Sequence, residues 1–552
     1  MPSAAPTDAA CGWVGALEQR PAGELAVGEA AGVALDQHGH RHGERRDRGD
    51  GAQEIGLAHH LPRRARAAQA HDEVAVDLVR GVVQPFPEQT DRPGGVPVPP
   101  RARRRATADP DTVQHMWFQH ESRFVDRPQI EAMCQRLLVE ARERLQIGRY
   151  QCVLLLPPDL TRAHSGAGWI TEHLYRLLDA EGAEVHVIPT LGQHVPHTPE
   201  ENRWMFGSIP EERIHAHHWK TGVTNVGTVP ADVVREKTGG AVDWEIPVDL
   251  NIMLVTEPWD LVINIGHVVP HEVLGFANHN KNYFIGLGGK RTLGASHMAS
   301  AVYGIENNLG NLLTPVRACF NYAEEHFLAD LPDVYLQVVM DYDDGGRLRH
   351  TGVYVGDDLE TYLAAARASR EQNITVFDEP VRKVVAVMQA DEFRATWVAN
   401  KAVYRTRMAI ADGGELLVIA PGVERFGEQP EVDALIRKYG YLSQAEVIDL
   451  YRTEADMQDI PHGTAHLVHG SAEGRFTITY APGMLSRAEI ESVGYRYLDL
   501  AEAQRRYDPE VMTDGWNTMP DGEEVFYIST PSAGLWATRE KLEQRAGHEL
   551  HP

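Results

Sequence analysis

Lysine is scarce in this 552-residue chain. Only eight lysines occur, none precedes Lys220, and the first 115 residues contain fourteen arginines. Those 115 residues are rich in Ala, Gly, Pro and Arg and have little helical or strand periodicity, so we expect a disordered extension. The composition is also typical of translated GC-rich DNA upstream of a true start. Met116 is then the expected first residue of the working protein.

Cysteine and long apolar runs are scarce as well. The four cysteines have no CxxC spacing, which argues against a disulfide framework or a zinc knuckle. No apolar run reaches about 18 residues, and the N-terminus has no signal-peptide pattern. We therefore expect a soluble protein in a reducing, cytoplasmic location.

Basic residues are too few to balance the acidic ones. Lys and Arg total 53 against 79 Asp and Glu, which gives a formal net charge of −26. An acidic surface repels phosphate backbones, so we expect neither a nucleic-acid nor a membrane partner. A local basic pocket for one small anion remains compatible with this charge.

After Met116 the chain alternates between strand and helix patterns, which is typical of α/β architecture. Strands are predicted at 151–158, 185–189, 248–255, 261–266, from 333 onward and at 415–422, and helices at 165–178, 359–369 and 534–545. We expect an N-terminal α/β domain at 117–330 that binds the cofactor and carries the chemistry. A C-terminal α/β domain is expected at 331–545, with the cofactor and substrate cleft between the two.

Polar residues follow three of the predicted strands. They are Asp159, Thr161 and Arg162 after the first strand, Gly192 and His194 after the second, and His267 and His271 after 261–266. In parallel sheets ligands bind at the carboxyl ends of strands, so these side chains are expected to converge. An Arg fork binds a carboxylate and histidines move protons near neutral pH, which predicts acid–base chemistry on a small anion.

The segment from His271 to His297 is unusually rich in His, Asn and Gly and contains Lys281 and Lys290. A partly buried lysine can act as a nucleophile that holds a cofactor, and a neutral imidazole such as His297 can ligate nickel or zinc. The alternative interpretation is a glycine-rich phosphate loop at 286–290.

These motifs have a characteristic order and spacing. Ten residues separate His271 from Lys281, sixteen separate Lys281 from His297, and the segment Trp397-Val398-Ala399-Asn400-Lys401 precedes a Gly-Gly pair. The full set is Asp159, Thr161, Arg162, Gly192, His194, Pro270, His271, Gly275, Phe276, Lys281, His297 and Lys401. Over about residues 117–545 the chain resembles the lactate racemase family, whose members use the nickel-pincer nucleotide.

The resemblance implies an isomerase that inverts C2 of a 2-hydroxy acid, either lactate-like or a sugar acid. It implies that Lys281 holds the nickel-pincer nucleotide covalently and that His297 ligates the nickel. His194 and His271 then exchange the hydroxyl proton while the C2 hydride passes to the cofactor. Enzymes of cofactor synthesis are expected partners.

The same resemblance implies roles for the remaining site residues. Arg162 and Lys401 hold the substrate carboxylate or polarise its oxygen. Asp159 positions the cofactor ribose or Arg162, and Thr161 and Gly286 complete the cofactor-binding set.

The chain departs from the family pattern beside the cofactor lysine. The pattern Ser-Gly-Gly-x-Lys reads Ala277-Asn278-His279-Asn280-Lys281 here, and Val398 stands where a Gln is expected. The added polar side chains are Asn278, His279, Asn280 and Asn282. Their hydrogen-bonding capacity favours a polar substrate such as a sugar acid, unless they serve the cofactor or the loop itself. Lys290 is the competing attachment residue.

Three other functions were weighed against this one. His215, His217 and His218 could serve a zinc hydrolase, but the HAHH run lacks the i, i+4 pair and nearby carboxylate of a helical zinc site. A ligand-binding relative that has lost the cofactor is a second alternative. An NAD-dependent dehydrogenase is disfavoured, because no GxGxxG follows an early strand.

Overall fold

Strands and helices alternate along the described residues, which are 116–343 and 346–550 in this computed structural model. These residues belong to one compact unit. The prediction for residues 1–115 lies outside them. No helix in the described ranges is long and apolar enough to cross a membrane.

The secondary structure of the described residues is as follows. The strands, β1 to β18 in chain order, are Phe118–Glu121, Cys152–Leu156, Glu184–Val187, Val223–Val229, Ile246–Asn251, Leu261–His267, Pro270–His271, Gly275–Phe276, Asp333–Tyr342, Leu348–Gly356, Ile374–Phe377, Val381–Val387, Ile410–Ala420, Thr477–Pro482, Arg496–Tyr497, Gly515–Thr518, Glu524–Ile528 and Leu535–Thr538. The α-helices, α1 to α18, are Arg127–Arg144, Ala167–Ala180, Pro199–Phe206, Ala231–Lys237, Ile252–Thr256, Lys290–Tyr303, Ile305–Asn308, Pro315–Phe327, Leu359–Asn373, Thr396–Ala399, Lys401–Thr406, Pro430–Tyr439, Gln444–Tyr451, Ala455–Asp459, Pro461–His469, Arg487–Ser492, Leu500–Arg506 and Arg539–Ala546. Short 3-10 turns cover Leu160–Ser165, Glu211–Arg213 and Pro531–Ala533, and a π-helical turn covers Asn282–Gly286.

The first large sheet has the strand order β1-β10-β9-β6-β2-β3. Strands β9, β6, β2 and β3 are parallel, and β10 and β1 extend the sheet in antiparallel fashion. Every residue of β2 and β6 is buried, which explains their nearly continuous apolar sequences. The α/β fold class is confirmed.

The strand order reverses at β2. The chain runs from β2 to β3 on one side, and β6 then pairs with the other side of β2. At such a switch point the segments that leave neighbouring strands diverge, which opens a crevice at the carboxyl edge of the sheet.

The second large sheet has the order β15-β14-β13-β12-β17-β16 and is parallel except for its edge strand β16. Strands β9 and β10 belong to the first sheet, although the predicted boundary at 330/331 assigns them to the second domain. The division into domains at that boundary stays a prediction.

Two predicted elements differ from the structure. The apolar run at 248–255 is not one strand, because Oδ1 of Asn251 accepts the Met253 backbone N–H at 3.0 Å and begins helix α5. Its strand part, β5, pairs only with β4, outside both large sheets. The predicted helix at 534–545 is strand β18 followed by α18, and Nη1 of Arg545 on α18 donates to the Leu309 carbonyl at 2.6 Å.

Helices α6 and α15 pack unusually closely. A Cβ atom at Gly294 of α6 would lie only 2.5 Å from Cγ of Pro461 at the start of α15. Only glycine fits this contact without a shift of one helix. The contact holds α15, which precedes a strand of the second sheet, against a helix that follows the first sheet's β6.

We expect Gly294→Ala to lower the free energy of unfolding by about 1–3 kcal/mol in urea denaturation, because the rigid proline ring cannot give way. At an exposed helical position, a Gly→Ala change instead raises the free energy of unfolding by roughly 1 kcal/mol. Gly148→Ala is the control, since a Cβ there meets nothing within 4 Å, and should change stability by less than about 0.5 kcal/mol. Stabilisation by Gly294→Ala would contradict the packing.

Candidate active site

A cleft lies at the carboxyl ends of β2, β3 and β6, and α11 and α15 form its opposite wall. The predicted site residues that line it are Asp159, Thr161, Arg162, His194, His271, Lys281, His297 and Lys401. Gly286 does not line it. The carbonyl of Gly286 accepts the Gly192 N–H at 2.8 Å, so it supports the loop that carries His194 from behind.

The buried carboxylate of Asp159 forms an ion pair with the half-buried His194. Nδ1 of His194 bonds to one carboxylate oxygen of Asp159, and Oγ1 of Thr161 donates to the other at 2.7 Å. Burial alone would raise the pKa of Asp159, but the charge of His194 and these hydrogen bonds outweigh it and hold that pKa well below its usual value. Burial likewise opposes the charge of His194, yet Asp159 and Glu428 raise its pKa. These carboxylates therefore favour the protonated form of His194.

His271 has the opposite electrostatic environment. It is buried, and burial lowers its pKa well below the usual value despite the charge of Glu272, whose Oε1 lies 3.8 Å from Nε2. Its Nδ1 accepts the Val273 backbone N–H at 3.2 Å, which orients the ring. His271 is neutral while His194 is charged, and such a pair divides acid and base roles.

Lys281 stands at the start of the π-helical turn, inside the cleft. Burial lowers its pKa to about 8, and the nearby charge of Arg162 acts in the same direction. At pH 7 roughly a tenth of Lys281 is then the uncharged, nucleophilic amine, far more than for an ordinary lysine.

The loop before Lys281 has a left-handed backbone at Asn278, with φ 66°, and at His279, with φ 58°. These two positions correspond to the glycine pair of the family pattern, and glycine adopts this conformation without strain. Arg317 compensates for the strain, since it donates to the Asn278 carbonyl at 3.2 Å and to the Phe276 carbonyl at 2.6 Å. The loop thus keeps the backbone of the family pattern with larger side chains.

The polar side chains of this loop bond mainly within the protein. His279 stacks on Tyr335 with ring centroids 3.8 Å apart, and Asn280 donates to a carboxylate of α8 at 2.9 Å. Asn278 and Asn282 line the cleft but bond to each other at 2.6 Å. These contacts favour the interpretation in which the loop residues serve the loop itself.

His297 presents a free ring nitrogen. Its Nδ1–H donates to the Leu293 carbonyl at 2.8 Å, one helical turn back on α6. Burial lowers the pKa of His297 to about 4, so the ring is neutral and Nε2 keeps its lone pair. A backbone carbonyl on the second nitrogen is typical of histidines that ligate metals through the first.

Cations gather where a substrate carboxylate would bind. Burial lowers the pKa values of both Arg162 and Lys401. The positive charge of Arg162 lowers the pKa of Lys401 further, whereas the carboxylate of Asp159 raises both pKa values. Glu392 faces them from the segment before α10, and burial raises its pKa to about 7. An anion in the cleft would offset this crowding of positive charge.

The sequence interpretation missed several cleft residues. They are Glu272, Tyr404, Arg405, His462, His466 and His469. The three histidines recur at positions i, i+4 and i+7 in the sequence PHGTAHLVH, a helical periodicity that could have identified them as one face. His267 also lines the cleft, and neither of its ring nitrogens has a hydrogen-bond partner within the described part of the chain.

The HAHH histidines point to separate partners. Nε2 of His215 bonds to His186 at 2.8 Å, whereas Nε2–H of His217 donates to the Gly288 carbonyl at 3.1 Å. Across residues 116–343 and 346–550, no three His, Cys, Asp or Glu side chains are grouped to hold a metal ion. The zinc hydrolase alternative gains no support.

Fold and cleft together define an α/β protein with acid–base groups at the carboxyl ends of its parallel strands. A family model of the lactate racemase N-terminal domain matches residues 131–308. The predicted resemblance to the lactate racemase family is confirmed over residues 131–308, where the chain is similar to the N-terminal domain of that family.

Two solved structures share the fold. A protein from Thermotoga maritima is 24% identical, with a TM-score of 0.66 over 76% of this chain and 100% of its own. The lactate racemase apoprotein from Thermoanaerobacterium thermosaccharolyticum is 16% identical, with a TM-score of 0.55 over 74% of this chain and 92% of its own. No curated protein sequence matches the chain.

The lowered pKa of Lys281 predicts its reactivity. Labelling by an amine-reactive reagent, followed by peptide mass spectrometry, should reach half its maximal rate near pH 8. An ordinary lysine reaches that point near its pKa of about 10.4. Arg162→Gln should move the midpoint of Lys281 upward, because the nearby positive charge is removed. A midpoint near 10 in the unaltered protein would contradict the account.

Proposed function

We propose that this protein is a racemase or epimerase that inverts C2 of a 2-hydroxy acid, lactate-like or a sugar acid, with a nickel-pincer nucleotide as cofactor. One observation carries the proposal. The cleft holds a protonated His194 and a neutral His271 together with Lys281, whose amine is readily deprotonated. The match to the lactate racemase N-terminal domain over residues 131–308 supports it.

Two residues fit the requirements of the cofactor. Lys281 offers an uncharged amine for a covalent link, and Nε2 of His297 offers one lone pair to the metal. A single protein ligand suffices when the nucleotide supplies the other donors, so a cluster of three protein ligands is not required. Bound there, the nickel-pincer nucleotide supplies a hydride acceptor that protein side chains lack.

Proton transfer is assigned to the two histidines. Neutral His271 accepts the hydroxyl proton of the substrate, and protonated His194 returns a proton to the same oxygen after C2 has become planar. Asp159 stabilises the charge on His194 in the buried cleft. For the other enantiomer the two rings exchange roles, which racemisation requires.

Substrate binding is assigned to the cations. The guanidinium of Arg162 matches a carboxylate with two parallel hydrogen bonds, and Lys401 adds a second positive charge from α11. Burial disfavours the charged forms of both side chains, so the negative charge of a bound carboxylate would stabilise them.

Covalent attachment tests this function directly. The protein is produced together with cofactor-synthesis enzymes and analysed by intact mass and by nickel content. We expect an added mass that Lys281→Ala abolishes, because Lys281 lines the cleft, its pKa is lowered to about 8, and the family resemblance assigns it the covalent link. Lys290→Ala is the matched control and should keep the added mass.

An unmodified wild-type protein without nickel would contradict the mechanism and favour a ligand-binding relative. If Lys290→Ala loses the adduct and Lys281→Ala keeps it, the cofactor is attached to Lys290.

A further inference from the structure

Three histidines on one face of helix α15 line the cleft. His462, His466 and His469 are only 1%, 5% and 4% exposed, yet all three line the cavity. His297 on the adjacent helix α6 lies close enough to influence the protonation of each ring. The face therefore stands beside the proposed reaction centre, and neither the family match nor the proposed function assigns it a role.

Much of the hydrogen-bonding capacity of this face is unused. Within the described residues, both ring nitrogens of His462 and Nε2 of His469 have no hydrogen-bond partner. His466 has only a weak contact, with its Nε2 3.4 Å from the Tyr441 hydroxyl. Buried polar groups nearly always find partners in folded proteins, and leaving one unpaired costs about 1–3 kcal/mol. A polar ligand is the natural partner for groups that face a cavity.

The chemistry of the face selects a neutral partner. Burial lowers the pKa of all three histidines to about 3, so the rings are uncharged, and each presents one donor and one acceptor. A hydroxyl group has the same dual character. The uncharged rings themselves offer no charge to pair with a second carboxylate or a phosphate.

Neighbouring side chains restrict the chemical class of the ligand further. Glu272 lies near His466 and His469. Burial opposes the charge of Glu272, but the positive charge of Arg405 lowers its pKa. A charged carboxylate repels a second carboxylate on the substrate but accepts hydrogen bonds from hydroxyls. The indole of Trp397, 4.4 Å from the ring of His466, gives the wall an apolar surface for carbon–hydrogen groups.

We propose that the His462, His466 and His469 face binds the substrate chain beyond C2 and selects 2-hydroxy acids whose further carbons carry hydroxyl groups. This inference rests on the proposed function and names its substrate class. A substrate with an alkyl chain would leave the buried ring nitrogens unpaired. That cost is the strongest means by which a polar pocket rejects substrates without hydroxyl groups.

The test compares two acids with the same four-carbon chain, 2,3,4-trihydroxybutanoate and 2-hydroxybutanoate, on the cofactor-loaded enzyme. Wild type should favour the trihydroxy acid in kcat/KM. In His469→Leu and His466→Leu this preference should fall about 10-fold to 100-fold, as expected for one or two lost hydrogen bonds. His469→Asn should retain more of the preference, because its amide is also a neutral donor and acceptor. His326→Leu, at an exposed site outside the cleft, is the control and should leave the preference unchanged.

Calorimetric dissociation constants for the same two acids provide a readout that does not depend on turnover. If both acids are converted but the variants keep the wild-type preference, the subsite is refuted while the proposed function stands. If neither acid is converted, the proposed function fails for these acids, and binding decides on the subsite. A binding preference for the trihydroxy acid that His469→Leu removes supports the subsite, and equal binding of both acids overturns it.

Discussion

The reversal of strand order at β2 is the constraint on which the site depends. Because β3 and β6 flank β2 on opposite sides, the segments that leave these three strands surround one crevice instead of crossing over it. Asp159 follows β2, His194 follows β3, and His271 follows β6, so residues more than thirty positions apart in sequence meet at one edge. The second sheet contributes the opposite wall through α11 and α15.

Burial and neighbouring charges then determine which of these side chains are charged. In a region of low dielectric, a charge survives only where a partner compensates for lost hydration. His194 has such a partner in Asp159 and stays charged, whereas burial outweighs the charge of Glu272 and keeps His271 neutral. The same desolvation lowers the pKa of Lys281 and leaves Nε2 of His297 available as a ligand. Burial and the placement of compensating charges together set the protonation of the four side chains to which the proposed function assigns the acid, base, nucleophile and metal-ligand roles.

Much of this arrangement could be predicted from local sequence. The buried strands β2 and β6 are continuous apolar runs, and the polar residues after them identify the cleft through a general rule of parallel sheets. The family pattern located Lys281 and His297. The left-handed backbone at Asn278 and His279 shows why glycines stand there in that pattern.

Other features depend on contacts that local sequence does not encode. The pairing of Asp159 with His194 joins two loops whose separation is fixed by the sheet. The positioning of the cofactor ribose or of Arg162 by Asp159 stays a prediction. The apolar run at 248–255 looked like a core strand because its composition gives no sign of the Asn251 cap that ends it. The polar side chains His279 and Asn280 contact β9 and α8, which are distant in sequence. The histidines of α15 that line the cleft are more distant still.

The central claim is inversion at C2 with return of the hydrogen that left it. The most direct measurement is conversion of a single enantiomer of a C2-deuterated 2-hydroxy acid by the cofactor-loaded enzyme, with chiral separation and mass analysis of the product. Hydride transfer through Lys281-bound cofactor predicts that most of the inverted product keeps its deuterium in ordinary water. Complete exchange of that deuterium with solvent would contradict the account, because it is the signature of proton abstraction from carbon.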